Sequence, residues 1–205
     1  MQRFASERPW HHPETADTVS AMTTTTLSRP HNRLAPAAPV EHTLRDSLLV
    51  TALALPTVVL ATLGKPFMHI PGVVDGTAHA VRQLNLVPFT GFETASVWYG
   101  GWTDMFGNIA LFVPLAAALC VAARGRLLPT VAASAALSMG IEATQYVFAL
   151  GFSDVDDLIY NIVGAVIGAL LMRRLSLDKR MKVLNRLGVV LAIAVVALGA
   201  AVLLT

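Results

Sequence analysis

Val155-Asp-Asp157-Leu-Ile-Tyr-Asn161-Ile-Val-Gly164-Ala-Val-Ile-Gly168-Ala-Leu-Leu-Met172, closed by Arg173-Arg174, is the stretch on which the fold of this chain turns. It has carboxylates in its first turn, none afterwards, and a basic pair at its end. As a helix it would be about 27 Å long, close to the hydrocarbon thickness of a bilayer. Asp154, Asp157, Asn161, Gly164 and Gly168 fall at i, i+3, i+7, i+10 and i+14, which is one stripe of a helix surface. Gly164-x-x-x-Gly168 lets a second helix approach closely. The stripe that carries the polar groups is therefore also the stripe that faces protein.

Working outward, four more apolar runs share that length scale, and together they predict five spans. These are Ser47–Gly64 with Pro56 inside it, Met105–Ala123, Leu127–Leu150, Val155–Met172 and Leu187–Leu204. The composition agrees. Of 205 residues, 55% are hydrophobic and 14% charged, against about 25% charged in a soluble domain. Mean hydropathy is +0.61. A water-facing surface needs charge on every element, so the surplus apolar surface must face lipid. The expected fold class is an all-α integral membrane protein, a bundle of about five transmembrane helices. Residues 1–43 are rich in Pro, Thr, His and Ala without period, and read as a disordered tail. That polar lead is too long for a secretory signal, and Met22 is a second candidate start. The membrane domain follows at 44–172, then a basic loop at 173–186 and an additional C-terminal helix at 187–205.

Charge orients the chain. Of 15 Lys and Arg, all but Lys65 and Arg82 fall on one side of an alternating five-span threading. By the positive-inside rule the N-terminus is cytoplasmic and the C-terminus lies outside; the expected location is the plasma membrane. The connections Lys65–Thr103 and Gly151–Asp154 then face outward. The pI near 9 reflects this flanking charge, and no nucleic-acid partner is expected.

Polar residues inside spans are functional candidates by default. Asn108 is expected about 6 Å, Asn161 about 10 Å and Glu142 about 12 Å below the outer ends of their helices. Glu142 and Gln145, three apart, share a face. Three helices thus bring polar groups to one shallow layer. Simpler roles compete. Ser153-x-x-Asp156 fits a capping box, so Asp154 and Asp156 suit a helix start. Asn108 and Gln145 suit interhelical hydrogen bonds. Asp157 and Asn161 lie past the cap. Glu142 is the hardest to make structural, and it is expected to be neutral and to donate to Asn161 or Gln145, with Asp157 ionised. Trp98 and Trp102 read as interfacial anchors, and Gly100-Gly101 permits either a hinge or a turn. Cys120 is alone, so no intrachain disulfide forms, and it reads as a small packed residue. His11-His12 reads as incidental. No cofactor and no metal site is expected.

Asn85-Leu-Val-Pro88-Phe89, Gly107-Asn108-Ile-Ala-Leu-Phe-Val-Pro114, Glu142-x-x-Gln145 and Asp154-Val-Asp-Asp157-x-x-x-Asn161-x-x-Gly164, in this order, resemble the VanZ-like family over about residues 45–172. The family takes its name from a teicoplanin-resistance protein. The resemblance implies a membrane domain of about four helices and a cell-envelope role. The convergence of polar groups argues for an internal, outward-opening pocket, and with the loop motif the candidate pocket or ligand-binding set is Asn85, Pro88, Asn108, Glu142, Gln145, Asp154, Asp157 and Asn161. Many members place an Arg shortly before the Asp-x-Asp-Asp run, where this chain reads Leu150-Gly151-Phe152-Ser153. Arg82 is the candidate spatial substitute.

The expected function is binding, with membrane lipids as partners and a lipid-linked wall precursor or a glycopeptide as the implied ligand. The rival is a membrane enzyme on such a lipid, with Glu142 and Asp157 as the catalytic candidates, either as general acid and base or holding a divalent cation with Asn161. A purely structural bundle is the third reading.

Overall fold

The computed structural model describes residues 38–70, 74–75, 82–94 and 97–204. The first 37 residues, with most of the expected tail and His11-His12, lie outside them. Among the described residues six α-helices run in chain order: α1 Ala38–Leu63, α2 Gly91–Thr94, α3 Gly100–Ala122, α4 Leu127–Phe148, α5 Val155–Arg174 and α6 Leu177–Leu203. All but α2 are long and apolar enough to cross a membrane, so the expected five-span, all-α class holds. Short strands occupy the connections: β1 His69–Ile70 pairs antiparallel with β2 Val74–Asp75, and β3 Arg82–Asn85 pairs parallel with β4 Gly151–Asp154.

Three boundaries differ from expectation. Helix α1 begins at Ala38, inside the expected tail. Helix α3 begins at Gly100, so Gly100, Gly101 and Trp102 are helical rather than a hinge. A Cβ at Gly101 would come within 2.8 Å of the Phe92 ring, so α2 packs there. Most of the expected basic loop 173–186 is the first three turns of α6. Leu184 in that stretch is fully buried, while Lys179, Lys182 and Arg186 are exposed. The segment is thus amphipathic, with its apolar positions spaced for a helix. Arg180 donates from Nε to the Leu175 carbonyl at 3.0 Å and from Nη2 to that of Arg173 at 3.3 Å. A cation is favourable at those carbonyls, which the end of α5 leaves unpaired.

The centre of the bundle is the α3–α5 seam. A methyl at Gly164 would lie 2.6 Å from the Ile109 carbonyl oxygen, and one at Gly168 would overlap that of Val113. Residues four apart on one helix meet residues four apart on the other in the same sense, so α3 and α5 run parallel. The expected close approach at Gly164-x-x-x-Gly168 is present. Phe112, Leu115, Ala118, Ala165, Ala169 and Met172 fill the seam below. Cys120 packs there as expected, with its thiol 3.6 Å from the Ala169 carbonyl. Val50, Ala54 and Val58 of α1 join the same core together with Leu184 and Leu191 of α6.

Candidate functional site

The site is built where α4 ends and α5 begins. Parallel pairing puts Arg82 opposite Gly151 and Asn85 opposite Asp154. Asp154 then serves three elements. Its Oδ1 accepts from the Asp156 N–H at 2.9 Å and caps α5. Its own N–H donates to Glu142 Oε2 on α4 at 2.9 Å. Its Oδ2 accepts from Asn85 Nδ2 at 3.0 Å. The expected capping role of Asp154 is present, with Asp154 rather than Ser153 as the N-cap residue.

The Asn85–Thr90 turn folds on itself. Asn85 Oδ1 accepts from the Val87 N–H at 3.2 Å, and Nδ2 donates to Thr90 Oγ1 at 2.6 Å. Pro88 sits in this turn and is exposed. Phe89 has φ +66°, a left-handed conformation that costs a bulky residue energy. Its N–H donates to Asp156 Oδ1 at 2.7 Å. Buried Asp156 therefore ties the turn to the first turn of α5.

One layer deeper, Asn108 Nδ2 of α3 donates to Asp157 Oδ1 of α5. Asn161 Nδ2 donates to Ser138 Oγ of α4 at 2.9 Å. The polar stripe of α5 thus meets α3 at Asp157 and α4 at Asn161. Two buried oxygens, Gln145 Oε1 and Asn161 Oδ1, have no hydrogen-bond partner. Such groups are costly and are usually satisfied in a native protein. The expected donation from Glu142 to Asn161 or Gln145 is not formed. The Asp154 amide, brought close by the tight α4–β4 connection, takes Glu142 instead.

A cavity of about 500 Å³ opens above this layer, lined among others by Lys65, Asn85, Asp104, Gln145, Asp154 and Asp157. Four of the eight expected residues thus meet in one space: Asn85, Gln145, Asp154 and Asp157. Asn108 lines an adjoining cleft. Glu142 lines a separate groove of about 290 Å³ with Leu84, Leu86, Met139, Tyr146 and Leu158. Asn161 is 1% exposed, inside the bundle. Among the described residues no three His, Cys, Asp or Glu side chains are grouped to hold a metal ion.

A family model described as VanZ/LLP1 matches residues 51–176. The chain belongs to the VanZ/LLP1 family. It is similar to Protein VanZ of Enterococcus faecium, with 30% identity over 148 residues, covering 72% of this chain and 86% of that protein. No solved structure matches. Every expected site residue lies within the family span, whereas α6 lies beyond it.

Within this VanZ/LLP1 domain, Arg82 does not pair with the carboxylates. It donates from Nε to the Tyr146 carbonyl and from Nη2 to the Val147 carbonyl, both at 3.0 Å. Its guanidinium carbon lies 5.9 Å from the Tyr146 ring centroid. The last turn of α4 offers unpaired carbonyls and the negative end of a helix, which attract a cation. The cation that does line the carboxylate cavity is Lys65, just past α1. In the sequence Lys65 stands out by topology only, and Asp104 merely precedes the span at Met105–Ala123. The scarcity of cations on that side, Lys65 and Arg82 alone, was the available signal.

Proposed function

We propose that this chain is a cell-envelope binding protein, whose cavity faces outward and receives the polar part of an envelope lipid, a wall precursor or a glycopeptide. The observation that carries the reading is the convergence of three carboxylates, one ammonium and several amides on an open cavity of about 500 Å³ at one end of a membrane bundle. That volume lies within the range of small-molecule sites. The similarity to Protein VanZ supports an envelope role. Glu142 and Asp157 open onto different spaces, which favours binding over acid–base chemistry on one shared substrate. The excess of carboxylates favours ligands rich in ammonium, amide or hydroxyl donors over purely anionic ones.

Two measurements on the full chain test this. A reporter fused after Thr205 is expected to be active outside the cytoplasm, and one inserted within residues 177–185 inside. Protein purified in mild detergent is expected to retain an envelope molecule identifiable by mass spectrometry, lost on Asp154→Ala. The reverse topology, or an identical retained set in the variant, refutes the reading.

A further inference from the structure

A second cavity, of about 590 Å³, lies between α1, α3 and α6. Its walls are largely apolar, with Ala61, Leu111, Pro114, Val190 and Ala194 among them. Lys65 and Asp104 line both this cleft and the polar cavity, so they stand where the two meet. Asn108, which holds Asp157, also lines the cleft. The two spaces thus share a wall at Lys65 and Asp104, one of them polar at the end of the bundle and the other apolar down its side. Helix α6 supplies one wall although it lies outside the matched residues 51–176.

We propose that this composite site holds a membrane lipid whose headgroup carries both an ammonium and an anionic group, with its hydrocarbon chain in the α1–α3–α6 cleft. The proposal rests on the binding reading above and names its ligand class. Charge decides the headgroup. A purely anionic head would meet Asp104, Asp154 and Asp157 with Lys65 as the only cation in the lining. A purely cationic head would meet Lys65 at the mouth of the cleft. A zwitterion satisfies both, with its anionic group beside Lys65 and its ammonium toward Asp154 and Asp157.

A second observation points the same way. Gln145 is 5% exposed, lines the polar cavity and has a side-chain oxygen without a partner. An ammonium or hydroxyl donor that reaches this buried oxygen would satisfy it. The chain is placed by solvent. An apolar cleft within the span of the helices excludes water and accepts hydrocarbon, whereas the polar cavity does the opposite.

The test titrates the purified full chain, followed by native mass spectrometry, with dioleoyl phosphatidylethanolamine or dioleoyl phosphatidylglycerol. Water-soluble phosphoethanolamine is followed in parallel by saturation-transfer NMR. The ethanolamine lipid is expected to bind at least about tenfold tighter than the glycerol lipid. Asp157→Asn should shrink that preference below about threefold, whereas Lys65→Gln should weaken both lipids, whose shared phosphate it faces, about tenfold without shrinking it. Gly107→Phe reaches into the cleft from a position where a Cβ meets nothing within 4 Å. It should weaken the ethanolamine lipid about tenfold and leave phosphoethanolamine binding unchanged. Ala194→Phe, from the opposite wall, should do the same, and thermal unfolding of each variant checks that the bundle is intact. Equal binding of the two lipids overturns the headgroup assignment. Unchanged lipid affinity in both cleft-filling variants overturns the chain assignment while the polar-cavity reading stands. Loss of binding to both lipids and to phosphoethanolamine in the unaltered protein overturns the binding reading itself.

Discussion

Helix α5, with 20 residues, and helix α6, with 27, are both long and apolar enough to cross a membrane, but they are solvated by different media. Helix α5 buries eight residues against protein, from Asp156 and Tyr160 through Asn161 and Gly164 to Met172. Helix α6 buries two, Leu184 and Leu191, and turns Val189, Val190, Ile193 and Val196 outward. A helix surrounded by protein can carry carboxylates, amides and glycines, because neighbours satisfy the first two and fit the last. A helix surrounded by lipid must be apolar all round. The contrast shows that the more hydrophobic helix is the less embedded in protein, and that the polar one holds the bundle together.

Matched glycine substitutions should break the symmetry between the two helices with the largest effect. Gly168→Leu drives a side chain into the backbone of α3 at Val113. Backbone cannot step aside as a side-chain tip can, so the seam must separate. A cost of roughly 3 kcal/mol or more is expected, read as loss of monodisperse protein on gel filtration. Gly199→Leu adds the same side chain to α6, where a Cβ meets nothing within 4 Å. It should shift stability by no more than about 0.5 kcal/mol. If both variants behave alike, α5 does not organise the bundle.

The same contrast explains what could be read in advance. The five spans were legible because an apolar run of span length is a local property. The α5 stripe was legible because Asp154, Asp157, Asn161, Gly164 and Gly168 repeat at helical spacing, and the family order of motifs points to the same side chains. The β3–β4 pair was not legible. Arg82-Gln-Leu-Asn and Gly-Phe-Ser-Asp are four residues each, too short to show a period, and their pairing joins segments far apart in the chain. That pairing aims Asn85 at Asp154 and draws Arg82 away to the end of α4. The place of Lys65 was hidden for a similar reason, because it depends on how α1 packs against α3 and α6. The basic start of α6 looks like loop by its charges alone, whereas Leu184 and its apolar neighbours carry the helical period.

The smaller effect, and the sharper test of the site, compares two carboxylates on adjoining helices. Glu142 of α4 accepts from the Asp154 N–H and lines the groove with Leu84 and Leu86. Asp157 of α5 accepts from Asn108 Nδ2 and lines the polar cavity. An amide oxygen can accept either hydrogen bond, so Glu142→Gln and Asp157→Asn should each fold, with unfolding temperatures within about 4 °C of the unaltered protein. Their effects on ligand retention should diverge. Asp157→Asn removes one of three carboxylates from the cavity that receives the ligand, and retention should fall about tenfold. Glu142→Gln leaves those three carboxylates in place and preserves the acceptor that fixes Asp154, so retention should change by less than about threefold. Mass-spectrometric occupancy of the two variants, measured side by side at equal protein concentration, reads the difference. If Glu142→Gln empties the protein while Asp157→Asn retains its ligand, the groove beside Leu84 and Leu86 is the binding site and the polar cavity is only its support.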